Sequence, residues 1–152
     1  MAIRAAVLSD THGVLRPEVL TAAAGCDLIL HAGDFDNPWI LSELQDIAPV
    51  YGVRGNNDGE WAGQLPGVLR FRLEDCRFLM VHNKWDVPRD LTEVDAVIFG
   101  HTHQYREEML DGRLWLNPGS CGRRRFDLGL SFVIMTVKGK EIRTEKVTIP
   151  VT

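Results

Sequence analysis

The sequence predicts an α/β fold in which two β-sheets face one another with helices outside. The first half of the chain alternates strand-like apolar runs with helix-like stretches, the rhythm of a parallel sheet with crossover helices. The second half turns to buried or alternating runs joined by tight turns, which reads as a second, strand-rich layer. At 152 residues the chain suits one domain, 1–152, with a full core.

Each element has its own signal. Residues 3–9 (IRAAVLS) read as a first strand. Residues 17–25 read as a helix, with Pro17 suited to a first-turn position and Gly25 to a C-cap. Residues 28–32 (LILHA) form a second strand, 38–47 a second proline-opened helix and 49–53 (PVYGV) a third strand. Residues 67–73 (GVLRFRL) alternate as a half-exposed strand should, and 77–81 (RFLMV) and 96–99 (AVIF) read as buried strands. Asp111-Gly112 joins 105–110 to 113–117 as a hairpin, and a turn at 137–140 joins 130–137 to 141–149.

Bulk properties exclude several classes. Hydrophobic residues make up 45% and charged residues 25%, as in an ordinary water-soluble protein. A net charge of -4 argues against a general nucleic-acid binder, though not against nucleic acid as a substrate held locally. No apolar run approaches the roughly 18 residues of a membrane span, and the N-terminus lacks a signal-peptide layout. Cys26, Cys76 and Cys121 are odd in number and widely spaced, so neither a disulfide framework nor a thiolate zinc site is expected. A cytoplasmic location follows as the expectation.

The polar residues fall where the strands end. Ser9-Asp10-Thr11-His12 follows the first strand, Gly33-Asp34 the second and Gly55-Asn56-Asn57-Asp58 the third. His82 ends RFLMV, and Gly100-His101-Thr102-His103 follows AVIF. Ligands of open α/β sheets bind beyond the carboxyl ends of strands. In extended chain Asp10 and His12 would point the same way, as would His101 and His103.

Carboxylate, amide and imidazole without thiolate favour a borderline or hard divalent ion: Mn, Fe, Zn, Ni or Co. Seven donors (Asp10, His12, Asp34, Asn56, His82, His101, His103) exceed the needs of one open ion and suit two, with Asp34 as the bridge. Other roles exist for single residues. Asp10 and Asp34 could cap the following helices, an asparagine could serve a left-handed turn, and His31 is read as packing.

Five motifs in this order, D-x-H, G-D, G-N-x-D/E, a lone H and G-H-x-H, resemble the calcineurin-like metallophosphoesterases. Val53-Arg54-Gly55-Asn56 and Asn117-Pro118-Gly119-Ser120 resemble the small YfcE-like phosphodiesterase branch. The resemblance implies a four-layer α/β/β/α sandwich of two mixed sheets and a two-metal site, often manganese. Asp10, His12 and His103 would hold one ion, Asn56, His82 and His101 the other, and Asp34 would bridge. A metal-bridging hydroxide would attack phosphorus in line with the leaving oxygen.

Two departures stand out. Asn57 occupies the place where many relatives carry a proton-donating histidine. His82 is followed by Asn83-Lys84 rather than glycine. Lys84 reads as a solvated surface residue, with a substrate-phosphate contact as the alternative. Asp36 and Asp58 are expected to support the ligands, with a turn cap as the alternative for Asp58, and Ser120 to serve a turn or contact phosphate. Arg125 aligns with an arginine seen after this loop in relatives and is a candidate for anionic substrate.

The implied activity is hydrolysis of a small phosphoester, chiefly a diester, with no membrane involved. Relatives form homo-oligomers, for which the strand over 67–73 is a candidate contact. The same fold also serves as an interaction module in a retromer subunit, so a metal-binding scaffold is the alternative function. A metallo-β-lactamase reading of His101-Thr102-His103 fails because Gln104-Tyr105-Arg106 follows where Asp-His is required.

Overall fold

The computed structural model describes residues 2–123 and 128–150. In the first half, β1 (Ile3–Leu8), β2 (Leu28–His31) and β3 (Val50–Gly52) alternate with α1 (Pro17–Ala24) and α2 (Pro38–Gln45). Both helices open on proline, whose missing N–H costs nothing in a first turn. Their N-cap positions are Arg16 and Asn37, so neither Asp10 nor Asp34 is a cap. Gly25 closes α1 at φ -92, without the left-handed backbone that favours glycine.

The second half supplies β4 (Val68–Leu73), β5 (Cys76–Val81), β6 (Ala96–Ile98), β7 (Arg106–Leu110), β8 (Arg113–Asn117), β9 (Leu130–Lys138) and β10 (Glu141–Ile149). Asp111 and Gly112 both take positive φ, 52 and 76, as a two-residue hairpin loop of the primed type requires.

The strands make two five-stranded sheets, ordered β10-β9-β1-β2-β3 and β4-β5-β6-β8-β7. Both are mixed. β1·β2, β2·β3, β5·β6 and β6·β8 pair in parallel and β1·β9 antiparallel, while antiparallel hairpins close every edge except that of β3. The sheets face each other across a core that includes Val7, Leu30, Phe78, Met80, Ile98, Leu116 and Val133. Phe71 of β4 meets Tyr51 of β3 edge-on at 5.3 Å along one side. On the other side the Thr144 hydroxyl of β10 donates to Glu107 of β7 at 2.7 Å.

The outer layers are unequal. Both helices cover the first sheet, burying Val19, Ala23, Ile40 and Leu44 against Ala6, Leu8 and Ile29. The outer face of the second sheet is covered by loop residues Val87, Leu91 and Val94 over Leu79, Val81, Val97 and Phe99. Those three are spaced as on a helix, but Pro88 lacks the N–H donor and the Asp90 carboxylate takes the Thr92 N–H at 2.9 Å. Only one 3-10 turn, Lys84–Asp86, forms in this stretch. No helix among the described residues is long and apolar enough to cross a membrane.

Candidate metal centre

The loops after β1, β2, β3, β5 and β6 meet at one end of the sandwich. After β1, β2 and β6 the backbone is not uniformly extended. Nine non-glycine residues among those described have positive φ, and six of them are Asp10, His12, Asp34, Asp36, His101 and His103. Such conformations cost on the order of 1–3 kcal/mol each and persist where the surroundings over-determine them. Strand alternation therefore does not aim Asp10 with His12, or His101 with His103. Successive left-handed turns do.

Two trios result. In Asp10, His12 and His103, and again in Asp34, His82 and His101, the potential ligand atoms lie within 4.8 Å of one another. The two histidines of the G-H-x-H run thus belong to different trios. In the first, His12 Nε2 stands 3.1 Å from His103 Nε2 and 3.5 Å from Asp10 Oδ1. In the second, His101 Nδ1 is 3.3 Å from His82 Nε2 and 3.1 Å from Asn56 Oδ1. Asp34 Oδ2 faces both trios, 3.5 Å from His12 and 3.2 Å from His82.

Hydrogen bonding fixes which ring nitrogens face inward. His82 Nδ1 lies 2.8 Å from the Ala32 carbonyl and must donate to it, which directs Nε2 at Asp34. His12 Nδ1 lies 3.0 Å from Asp36 Oδ2, so its Nε2 also faces the carboxylates. Asp10 Oδ2 accepts from the Ser9 hydroxyl at 2.7 Å and from the His101 N–H at 3.1 Å. Asp10 Oδ1 is buried without a hydrogen-bond donor among the described residues, and faces His12 Nε2 at 3.5 Å and His103 Nε2 at 3.4 Å.

Lone pairs and carboxylates converging in this way call for positive charge at the centre. Donors ~2.1 Å from a shared ion at right-angled to tetrahedral geometry stand roughly 3.0–3.4 Å apart, close to the separations observed. The donor set therefore fits a divalent cation, with protons as the alternative source of charge. The Asp10 carboxylate beside His12, outweighing the effect of burial, pushes that imidazole up to about 9. Burial works against ionised Asp34, but His82 and the Asn57 N–H hold its carboxyl below the usual range.

Asp58 ties the loops together. Its Oδ2 accepts the N–H groups of Asp34 at 3.0 Å and Gly55 at 2.9 Å, and its Oδ1 that of Asp36 at 2.9 Å. The Asn57 N–H donates to Asp34 Oδ1 at 2.9 Å, while its side chain stays exposed. A side chain at Gly55 would overlap the Asp34 carboxylate, which explains that glycine. Ser120 is buried, with its hydroxyl 3.0 Å from the Asp10 carbonyl and 2.8 Å from that of Arg123. Lys84 is exposed, its ammonium 6.0 Å from the Trp85 ring. Arg125 lies outside the described residues.

Sequence reasoning missed three supports. Ser9 orients Asp10. Asn117 donates to the Gly100 carbonyl at 3.2 Å and to Thr102 at 3.1 Å, pinning the loop that carries both histidines. His31 does more than pack: its Nδ1 accepts the Gly33 N–H at 3.0 Å and its Nε2 lies 3.1 Å from the Thr11 hydroxyl. It stacks on Phe35 at 3.6 Å, and burial pushes its imidazole down to about 3. Ser9 and Asn117 stood inside stretches the sequence singled out, without a role of their own, and His31 was read as packing.

Residues 3–140 match the calcineurin-like phosphoesterase superfamily domain, and the chain belongs to that family. A probable metallophosphoesterase of Methanothermobacter thermautotrophicus is 35% identical, across 91% of this chain and 88% of its own. A phosphodiesterase of Methanocaldococcus jannaschii is 27% identical, across 76% of this chain and 82% of its own. The crystal structure of Chaetomium thermophilum Vps29 matches with a TM-score of 0.79 at 19% identity, covering 96% of this chain and 97% of that one. That last likeness concerns the fold alone.

Proposed function

We propose that this chain is a phosphodiesterase that works with two divalent metal ions. The observation that carries this reading is that Asp34 Oδ2, a member of the second trio, also faces His12 of the first, at 3.2 Å from His82 and 3.5 Å from His12. Asp10, His12 and His103 would hold one ion, Asn56, His82 and His101 the other, with Asp34 shared. Oxygen and imidazole donors without thiolate suit manganese first, with Fe, Zn, Ni and Co as alternatives. Ions held there supply Lewis-acid charge and a water nucleophile at neutral pH.

The protein's own part is positioning. Asp36 and the Ala32 carbonyl set the ring orientations of His12 and His82. Ser9 and the His101 N–H occupy one oxygen of Asp10 and leave the other for the centre. Asn57 stands where a proton donor would serve the leaving group, and its amide cannot deliver a proton at neutral pH. Diesters with stabilised leaving groups, such as nitrophenolate, are therefore the preferred substrates. The relationship to an archaeal phosphodiesterase supports the diester reading. The fold would equally serve an interaction module, but seven converging donors favour the enzyme.

The test is hydrolysis of bis(p-nitrophenyl) phosphate and p-nitrophenyl phosphate by metal-stripped protein, one metal at a time. Manganese is expected to restore turnover of the diester above that of the monoester. Inactivity with all five of Mn, Fe, Zn, Ni and Co would overturn the proposal.

A further inference from the structure

A second feature adjoins the candidate centre. Along the side of the sandwich where β7 and β10 face each other, a cleft of about 230 Å³ is walled by His103, Gln104, Tyr105, Ser131, Lys146 and Thr148, among others. His103 belongs both to this wall and to the first trio. Among the described residues no carboxylate lines the cleft.

Its donors are unequally engaged. The Tyr105 hydroxyl donates to Glu107 at 3.0 Å, and the Ser131 hydroxyl donates to the Pro118 carbonyl at 2.7 Å. The Lys146 ammonium, the Gln104 side-chain amide and the Thr148 hydroxyl make no hydrogen bond or ion pair among the described residues. Lys146 is not loose. Its Nζ stands 4.6 Å from the centroid of the Tyr105 ring, and that ring is anchored through Glu107, which also accepts from Thr144. A cation thus stands at the cleft without an ion pair among the described residues, and the Glu107 carboxylate behind the Tyr105 ring is taken up by Tyr105 and Thr144.

We propose that this cleft is a subsite for an anionic group on the organic part of the phosphoester, with Lys146 as its specificity-determining residue. The proposal rests on the phosphoesterase reading above. Phosphorus at the metal centre would place one esterified alcohol toward the His103 wall. A carboxylate or second phosphate on that alcohol would meet the Lys146 ammonium, with Gln104 and Thr148 as further donors. The cleft is of a size for one aromatic ring or sugar.

Two symmetrical substrates test this: bis(4-carboxyphenyl) phosphate and its neutral counterpart, bis(4-carbamoylphenyl) phosphate. The manganese-loaded wild-type protein is expected to show a KM about five- to tenfold lower for the carboxylate ester. Lys146→Met should abolish that ratio through the KM of the carboxylate ester, and Lys146→Arg should retain most of it. Equal KM values in the wild type, or a ratio that survives Lys146→Met, would overturn the subsite. Hydrolysis of neither ester would count against the phosphoesterase reading. Calorimetric binding of the same two esters to wild type and Lys146→Met then decides the subsite, by whether a carboxylate preference exists and disappears with the ammonium.

Discussion

The Asp58 carboxylate accepts the backbone N–H of Asp34 at 3.0 Å, reaching from the loop after β3 to the loop after β2. Two more N–H groups, of Gly55 and Asp36, bond to the same carboxylate. One buried side chain thereby sets the height of Asp34 relative to both trios. Asp58→Ala leaves three donors in a site where water is scarce. It should cost about 1–3 kcal/mol of folding stability and weaken metal binding roughly 10–100-fold. Urea unfolding and calorimetric metal titration read the two effects separately. Unaltered metal affinity would confine Asp58 to holding the backbone.

Asp34→Asn tests whether Asp34 is shared between two ions. The amide keeps the shape but loses the charge that faces His12 and His82. Elemental analysis of manganese-loaded protein should find about two ions per chain in the wild type and fewer than one in the variant, since both ions lose a ligand. Turnover of the diester should fall about 100-fold or more. A variant that retains two ions and full activity would remove Asp34 from between them.

His31 imposes a pH dependence on folding. Its imidazole protonates near 3 in the folded protein, against about 6.5 when unfolded. Between those values the unfolded chain binds the extra proton. The stability contributed by neutral His31 is therefore complete above pH 6.5 and is lost as pH falls toward 3, by up to about 1.4 kcal/mol per pH unit. His31→Gln can still accept from Gly33 and donate to Thr11 without titrating. Its urea midpoint should decline less steeply than the wild type's between pH 6.5 and 4.5. Parallel declines would show that His31 does not control this window.

The thiols should react in order of exposure. Burial pushes the Cys121 thiol up to about 12, and Cys76 is also buried, whereas Cys26 is half-buried. Iodoacetamide at pH 8 is expected to label Cys26 alone in the native protein and all three thiols in urea, as read by peptide mass spectrometry. Early labelling of Cys121 would mean that the loop against Ser9 opens readily.

Much of the architecture was legible because strand and helix signals are local. Apolar runs over 3–9, 28–32 and 96–99 lie where β1, β2 and β6 form, and Pro17 and Pro38 open the two helices. The unequal outer layers were less legible. Val87, Leu91 and Val94 have helical spacing, yet Pro88 and the Asp90–Thr92 turn leave a loop over the second sheet. The candidate donors were visible as polar residues at strand ends, but the reason they converge was not. Alternation in extended chain was the expected cause, and left-handed backbone at Asp10, His12, His101 and His103 is the observed one.

The sequence by itself determined the family, the strand and helix order and the kinds of donor available, since motif order and apolar periodicity are properties of the chain alone. Tertiary structure decided which donors face which. The two histidines of G-H-x-H fall into separate trios because the Asp10 carboxylate takes the His101 N–H, while Asn117 from the far side of β8 holds the loop between them. Those bonds join residues 91 and 17 positions apart in the chain. Packing of one sheet on the other brings the first pair within reach, and the pairing of β8 beside β6 brings the second.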